Sequence, residues 1–245
     1  MIGSYLGRYF DDLNYDVETT TRKIYSNNGK NYLDLSTDSQ LLSDKTFEVA
    51  VFCAGITQMS ICEEFPTMAK IVNVDNTIGM IQKLLLQKTH VIFLSSNKVF
   101  NGIKQFNDYY DIVSPTNNYG EYKVMVEEKF FDPNFSVLRL SKVLTREAPF
   151  LKRWKAALIL GMKLEISKNE FLSPVTLDQV ACAVNQIINE KADGMFQLGS
   201  KVETSYYDFA TNYFSNNKKF LDLLVGVNSL NGANKYNSLR TYLPD

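Results

Sequence analysis

At 245 residues, 45% hydrophobic and 22% charged, the chain has an ordinary soluble composition and the length to bury a sizeable core in one domain, or in one domain with a small lobe. Lys and Arg number 26 against 27 Asp and Glu, a formal net charge of −1, which leaves no electrostatic footprint for nucleic acid. No run approaches the roughly 20 apolar residues of a membrane span, and the opening residues lack the charged start and apolar run of a secretory leader.

Taken in order, the chain opens on "MIGSYLGRYF", which reads as a helix. A weak strand follows at "DVETTT", and a stronger one at "FEVAVFCAG". "NTIGMIQKLLLQK" sets Ile78, Ile81, Leu84 and Leu85 on one helical stripe. "HVIFLSS" is the next strand, "YGEYKVMVEEKFF" a helix with Met125, Val126 and Phe130 turned inward, and "FSVLRLS" a further strand. Alternating strands and helices predict a parallel sheet with crossover helices, and in such sheets ligands sit at the carboxyl ends of the strands.

Beyond "LRLS" the pattern changes. "PVTLDQVACAVNQIINEK" is an amphipathic helix with Val180, Val184, Ile187 and Ile188 on one face, and "GMFQLGS" is a short strand. "SYYDFATNYF" starts as a capped helix at Ser205, with Asp208 three residues on, and its Tyr206, Phe209, Ala210 and Tyr213 are expected in the core of a smaller lobe. The expected division is 1–141 for the sheet domain and 142–245 for that lobe, partly interleaved.

Cys53, Cys62 and Cys182 form no paired spacing, which predicts reduced thiols in a cytoplasmic protein and no metal site. His90 stands at the head of an apolar strand and is not expected to be catalytic.

The chemistry is expected in "SPTNNYGEYK". Tyr119 and Lys123 lie four apart, on one face of a helix. An ammonium beside a phenol favours the phenolate, and the pair can then exchange a proton near neutral pH. Alone this spacing also describes an exposed helix face. The preceding strand, however, ends in Ser95 and Ser96, whose hydroxyls sit where a substrate oxygen would be held.

Order and spacing resemble the extended short-chain dehydrogenase/reductase superfamily, most closely its dTDP-4-dehydrorhamnose reductase branch. "FCAGIT" is similar to that branch's "NAAAYT", "NVDNT" to "NVxGT", and "LSSNKVFNG" to "ISTDYVFDG". "SPTNNYGEYK" resembles "xPxNxYGxSK", "SVLRLSKVL" resembles "xxLRTSxVY", and "LSPVTLDQVA" resembles "xxPVxxxDLA". The resemblance covers nearly the whole chain, most tightly residues 48 to 143. It implies a Rossmann-like α/β fold, a doubly wound parallel sheet, with a small C-terminal mixed α/β lobe for the substrate. It implies Ser96, Tyr119 and Lys123 as catalytic residues, with Lys123 also on the nicotinamide ribose. Gly3, Arg22, Asp34, Leu35, Ala54, Gly55, Ile56 and Asn73 take cofactor positions, Asn73 by supporting the loop backbone. Asn97 falls at a substrate position where the family has an acidic residue.

The expected cofactor is NADP(H) in preference to NAD(H), because Arg22 stands where these folds read the adenosine ribose and suits a 2′-phosphate. The implied activity is reduction or epimerisation of a nucleotide-linked sugar for cell-surface polysaccharide precursors, with a homodimer as the expected assembly. Lys152, Arg153 and Lys155 around Trp154 read either as a diphosphate clamp or as a solvated face. At the front, Gly3 matches only the last glycine of the family's G-x-x-G-x-x-G turn. The first strand is expected to be missing, leaving the strands near Val17 and Val49 without a shared neighbour. A non-catalytic relative that binds a nucleotide or a partner, or an inactive truncated fragment, is the alternative expectation.

Overall fold

The computed structural model describes residues 2–22, 31–37, 45–145, 148–229 and 235–244. The chain opens on α1 (Ile2–Asp12), followed by short strands β1 (Thr20–Thr21) and β2 (Asn31–Tyr32) and by β3 (Val49–Phe52). Helices α2 (Met59–Glu64) and α3 (Pro66–Lys70) run through one turn of π-helix, Ile71–Asp75, into α4 (Asn76–Leu86). Strand β4 (His90–Ser96) ends in a 3₁₀ turn, Asn97–Val99, and α5 (Asn118–Glu127) leads to β5 (Phe135–Leu140). The remaining elements are β6 (Lys142–Val143), α6 (Pro149–Ile159), β7 (Leu164–Ser167), β8 (Phe171–Leu172), β9 (Pro174–Val175), α7 (Leu177–Glu190), β10 (Gly194–Leu198), β11 (Thr204–Ser205), α8 (Tyr206–Tyr213), α9 (Lys218–Leu221) and β12 (Leu224–Val227).

The main sheet has the order β10-β5-β4-β3, and all its pairings are parallel. Strands buried on both faces need apolar residues at every position, which explains the continuous runs in β4 and β5. Alternation then divides them. Ile92, Leu94, Leu138 and Leu140 face Leu6 and Phe10 of α1 and Val180, Val184 and Ile187 of α7. Val91, Phe93, Phe135 and Val137 face Met80, Ile81 and Leu84 of α4 and Val126 of α5. The doubly wound parallel sheet is therefore present.

β1 pairs only with β2, and among the described residues no ladder joins β1 to β3. The predicted strand at residues 16–21 is shortened to its last two residues. The stripe predicted for α5 is also partly corrected. Met125 is 42% exposed, while Tyr122 and Val126, one turn apart, are the residues that pack inward.

Helix α7 begins with a full capping box. The Thr176 hydroxyl accepts from the Gln179 amide at 3.2 Å, and the Gln179 side chain accepts from the Thr176 amide at 2.8 Å. This helix covers the sheet, and β10 pairs with β5, so both return to the first unit in space. The lobe proper has its own core of Leu158, Ile166, Ala210, Phe214 and Leu224. Ala210 is buried as expected and Tyr206 packs against this core, but Tyr213 is 37% exposed at the helix end. The stretch 235–244 then crosses back to the sheet, where Gln197 and Tyr242 exchange both backbone hydrogen bonds.

Candidate active site

Parallel pairing brings the carboxyl ends of β3, β4 and β5 to one rim, in the register Phe52↔Phe93 and Ser96↔Leu140. Every predicted catalytic residue lies at this rim or on α5 beside it. Ser96 ends β4, and its hydroxyl caps the following turn by accepting from the Lys98 amide at 3.2 Å. It also donates to Asn97 Oδ1 at 3.3 Å. Neighbouring Ser95 points the other way and donates to the buried carboxylate of Glu127.

Tyr119 lies in the first turn of α5, where the Asn117 side chain caps the helix by accepting from the Gly120 amide at 2.9 Å. Burial pushes the Tyr119 phenol up to about 12, and the hydrogen bond with Ser96 acts in the opposite direction. Its proton is therefore held at neutral pH. Lys123 follows one turn on. Its Nζ donates to the Leu94 carbonyl at 2.7 Å, lies 4.3 Å from the Phe93 ring centroid and 5.8 Å from that of Tyr119. Burial brings its pKa down to about 8, while the Glu127 carboxylate and Cys53 hold it up. The structure thus places Ser96, Tyr119 and Lys123 together. It gives burial, not the lysine charge, as the main influence on the phenol.

The loop after β3 supplies Cys53, Ala54, Gly55 and Ile56. Gly55 has φ +147°, a backbone conformation that favours glycine, and an added Cβ would lie 3.0 Å from Asn73 Oδ1. Asn73 is buried in the π-helical turn. Its Oδ1 accepts from the Ile56 amide at 2.7 Å and its Nδ2 donates to the Ile56 carbonyl at 2.9 Å. Asn73 therefore supports the loop backbone rather than facing the rim. Gly3, in the first turn of α1, lies against Cys53: a Cβ there would be 3.4 Å from the Cys53 Cβ. The Cys53 thiol, desolvated and only partly offset by Lys123, is pushed up to about 12.

Asp34 and Arg22 stand beyond this loop. Hydrogen bonds from Ser36, and then the Arg22 charge, hold the Asp34 carboxyl below its usual range. Leu35, also given a cofactor position, is a core residue. The residue is 6% exposed and packs with Phe52, Val72 and Met80, and its carbonyl accepts from Asn76 Nδ2 at 2.8 Å. Exposed Ala54 and Gly55, α1 starting beside them, and Arg22 next to Asp34 form a track with little side-chain bulk.

Asn97, given a substrate position, bonds within the protein. Its side-chain amide donates to the Asn237 carbonyl at 2.7 Å and to Asn237 Oδ1 at 3.3 Å. Asn237 itself donates from Nδ2 to the Phe171 carbonyl at 2.7 Å and from its amide to Glu203 Oε1 at 3.0 Å. This one residue ties the end of β4 to β8 in the lobe. Sequence reading missed it, because a tie across 140 residues has no local signature. It also missed the buried pair beneath Lys123, in which Glu127 Oε2 accepts from Arg139 Nη2 at 2.7 Å. His90 is structural: its Nε2 lies 2.7 Å from Ser136 Oγ.

Among the described residues no group of three or more His, Cys, Asp or Glu is placed to hold a metal, and no helix is long and apolar enough to cross a membrane. No curated protein matches the sequence. Among solved structures, a dTDP-4-dehydrorhamnose reductase from Bacillus anthracis in complex with NADP is 18% identical, with 98% of this chain and 86% of that one covered and a TM-score of 0.83. A dTDP-4-dehydrorhamnose reductase from Yersinia enterocolitica is 22% identical over 100% of this chain and 84% of that one, with a TM-score of 0.79. A dTDP-glucose 4,6-dehydratase from Streptomyces venezuelae with NAD bound is 14% identical over 98% and 85%, also with a TM-score of 0.79. At these identities the likeness is one of fold. The family model described as RmlD substrate binding domain matches residues 1–234, and with the motifs around Ser96, Tyr119 and Lys123 it makes this chain a member of that family, in the dTDP-4-dehydrorhamnose reductase-like branch of the extended short-chain dehydrogenase/reductases.

Proposed function

We propose that the protein is a nicotinamide-dependent oxidoreductase acting on a nucleotide-linked sugar, as a reductase or an epimerase in the synthesis of cell-surface polysaccharide precursors in the cytoplasm. The observation that carries this reading is the convergence of Ser96 at the carboxyl end of β4 with Tyr119 in the first turn of α5, close enough for its hydroxyl to favour the Tyr119 phenolate, and with Lys123 one turn along α5. The similar structures solved with NADP and with NAD support a nicotinamide cofactor. NADP(H) is the proposed preference, on the strength of Arg22 beside Asp34.

In this reading Ala54, Gly55 and the start of α1 hold the cofactor, Arg22 and Asp34 take its adenosine end, and Lys123 takes the nicotinamide ribose. The cofactor, when bound, supplies or accepts hydride. Ser96 donates a hydrogen bond to the sugar's carbonyl oxygen. Tyr119, protonated at neutral pH because it is buried, delivers its proton to that oxygen as the carbonyl is reduced, and takes it back in the oxidative direction. Asn97 acts through Asn237, fixing Ser96 at the lobe boundary, and the lobe supplies the sugar and nucleotide contacts.

The test is NADPH consumption in the presence of nucleotide-linked keto sugars. We expect turnover that Tyr119→Phe lowers by roughly 10²-fold or more while cofactor affinity stays within a few-fold. An unchanged rate in Tyr119→Phe removes Tyr119 from the chemistry. The second reading, a non-catalytic relative that binds a nucleotide or a partner, is supported by the absence of a ladder between β1 and β3 among the described residues. Cofactor binding without turnover of any nucleotide-linked sugar would favour it.

A further inference from the structure

Strands β4 and β5 leave the sheet side by side, at the register pair Ser96↔Leu140. Two residues beyond that pair, each strand presents a lysine: Lys98 in the 3₁₀ turn and Lys142 in β6. Both therefore lie at the carboxyl-end rim where ligands of parallel sheets bind, Lys98 two residues from Ser96 and Lys142 two residues from its register partner Leu140. Lys98 is half-buried, and its Nζ donates to one neutral acceptor, Asn237 Oδ1. Lys142 forms no ion pair among the described residues, and its Nζ lies 5.4 Å from the Phe150 ring centroid.

The surroundings are short of negative charge. Lys235 also acts on Lys98, and Arg153 acts on Lys142. Of the carboxylates nearby, Glu170 lies 3.7 Å from Lys235, and Glu203 Oε1 accepts from the Asn237 and Ser238 amides. Burial and the neighbouring lysines take Lys98 down to about 8, with Glu170 alone opposing. Lys98 is half-buried and Lys142 exposed beside it, and a partly desolvated lysine next to like charges is unfavourable unless a counter-charge completes it.

We propose that Lys98 and Lys142 form an anion subsite that receives a carboxylate carried by the sugar ring of the substrate, so that the protein selects an acidic sugar over a neutral one. This rests on the nucleotide-sugar reading above and narrows its substrate class. The carboxylate is favoured over the diphosphate by connectivity. In a hexuronic acid the carboxyl group is bonded to the ring carbon next to the one bearing the 4-keto group. The diphosphate leaves from the anomeric carbon, across the ring. A cation two residues from Ser96 is matched to the nearer group.

The experiment is calorimetric titration of the full chain, loaded with NADPH, with diphosphate-linked glucuronic acid and glucose in both the uridine and the thymidine series. We expect the acid to bind at least about tenfold more tightly than the neutral sugar, the scale of a hydrogen bond to a charged group. Lys98→Met and Lys142→Met should each bring the two affinities closer, Lys98→Met to within about twofold. Lys98→Arg, which keeps the charge, should retain the preference. Equal affinity of the native chain for acid and neutral sugars overturns this inference and leaves the nucleotide-sugar reading standing. Equal loss of both ligands in Lys98→Met assigns the lysines to the diphosphate and also overturns it. Binding of neither sugar in either series overturns that reading together with this inference.

Discussion

Gly120 stands directly against the backbone of Lys98: an added Cβ would lie 2.1 Å from the Lys98 carbonyl oxygen. The start of α5 and the turn after β4 are thus in backbone contact, and that contact brings Tyr119 to Ser96. Gly120→Ala would add helix propensity, worth about 1 kcal/mol. A backbone clash cannot be relieved by a rotamer change, so the overpacking cost, about 1–3 kcal/mol, should exceed that gain. We expect a lower melting temperature and a larger fractional loss of turnover than of cofactor affinity. A variant as stable and active as the parent would show that the two segments can separate.

Much of this arrangement was legible beforehand, for reasons that differ by residue. The strands ending at Ser96 and Leu140 were visible because burial on both faces demands unbroken apolar runs, and the one ending at Phe52 because its own run is apolar though it lies at the end of the sheet order. Tyr119 and Lys123 were visible because helical spacing alone puts them on one face. Leu35 took its cofactor position from the family resemblance alone, and its burial in the core under α4 had no signature in the stretch around it. The tie from Asn97 to Asn237 was not legible because Asn237 arrives from the far end of the chain. Lys123 was given too much weight over Tyr119, because spacing says nothing about the cost of burying a phenol.

Lys123 gives a pH dependence. Its folded-state pKa, about 8, is below the usual lysine value because of burial. Between pH 8 and that ordinary value the unfolded chain binds more protons at this site than the folded one. By linkage, this group's contribution to stability therefore rises with pH across that window. Cofactor binding should move the other way, because only the protonated amine donates strongly to a ribose hydroxyl. We expect NADPH affinity to fall as pH passes through about 8, and Lys123→Met to bind more weakly without that step. A titration that is flat between pH 7 and 9 in the native chain would separate Lys123 from the cofactor.

Arg22 tests the cofactor preference. Its charge lies close enough to help hold the Asp34 carboxyl below the usual range. A guanidinium there can pair with a 2′-phosphate, while the carboxylate alone would suit a ribose diol. Arg22→Ala should weaken NADPH by about tenfold and leave NADH nearly unchanged, consistent with the loss of one exposed charge-assisted contact. Fluorescence titration with both cofactors measures it. Tighter NADH than NADPH binding in the parent chain would remove Arg22 from the adenosine end.

The buried pair beneath the site has two effects that can be told apart. Glu127 and Arg139 are only 3% and 4% exposed at their side chains and meet at 2.7 Å; Ser95 donates a further hydrogen bond to Glu127, and the Tyr109 carbonyl accepts one from Arg139. Removing one partner strands a buried charge. Glu127→Gln should therefore cost about 3–5 kcal/mol, read as a large drop in melting temperature. Glu127 also holds up the pKa of Lys123, one turn away. The same substitution should thus shift the pH step in NADPH affinity to lower pH. Glu127→Gln with Arg139→Met separates the two. The double variant removes the stranded guanidinium and should recover much of the lost stability. It does not restore the carboxylate beside Lys123, so the shifted pH step should persist. If the step returned with the stability, the shift would be a consequence of a loosened fold, and Glu127 would have no electrostatic hold on Lys123.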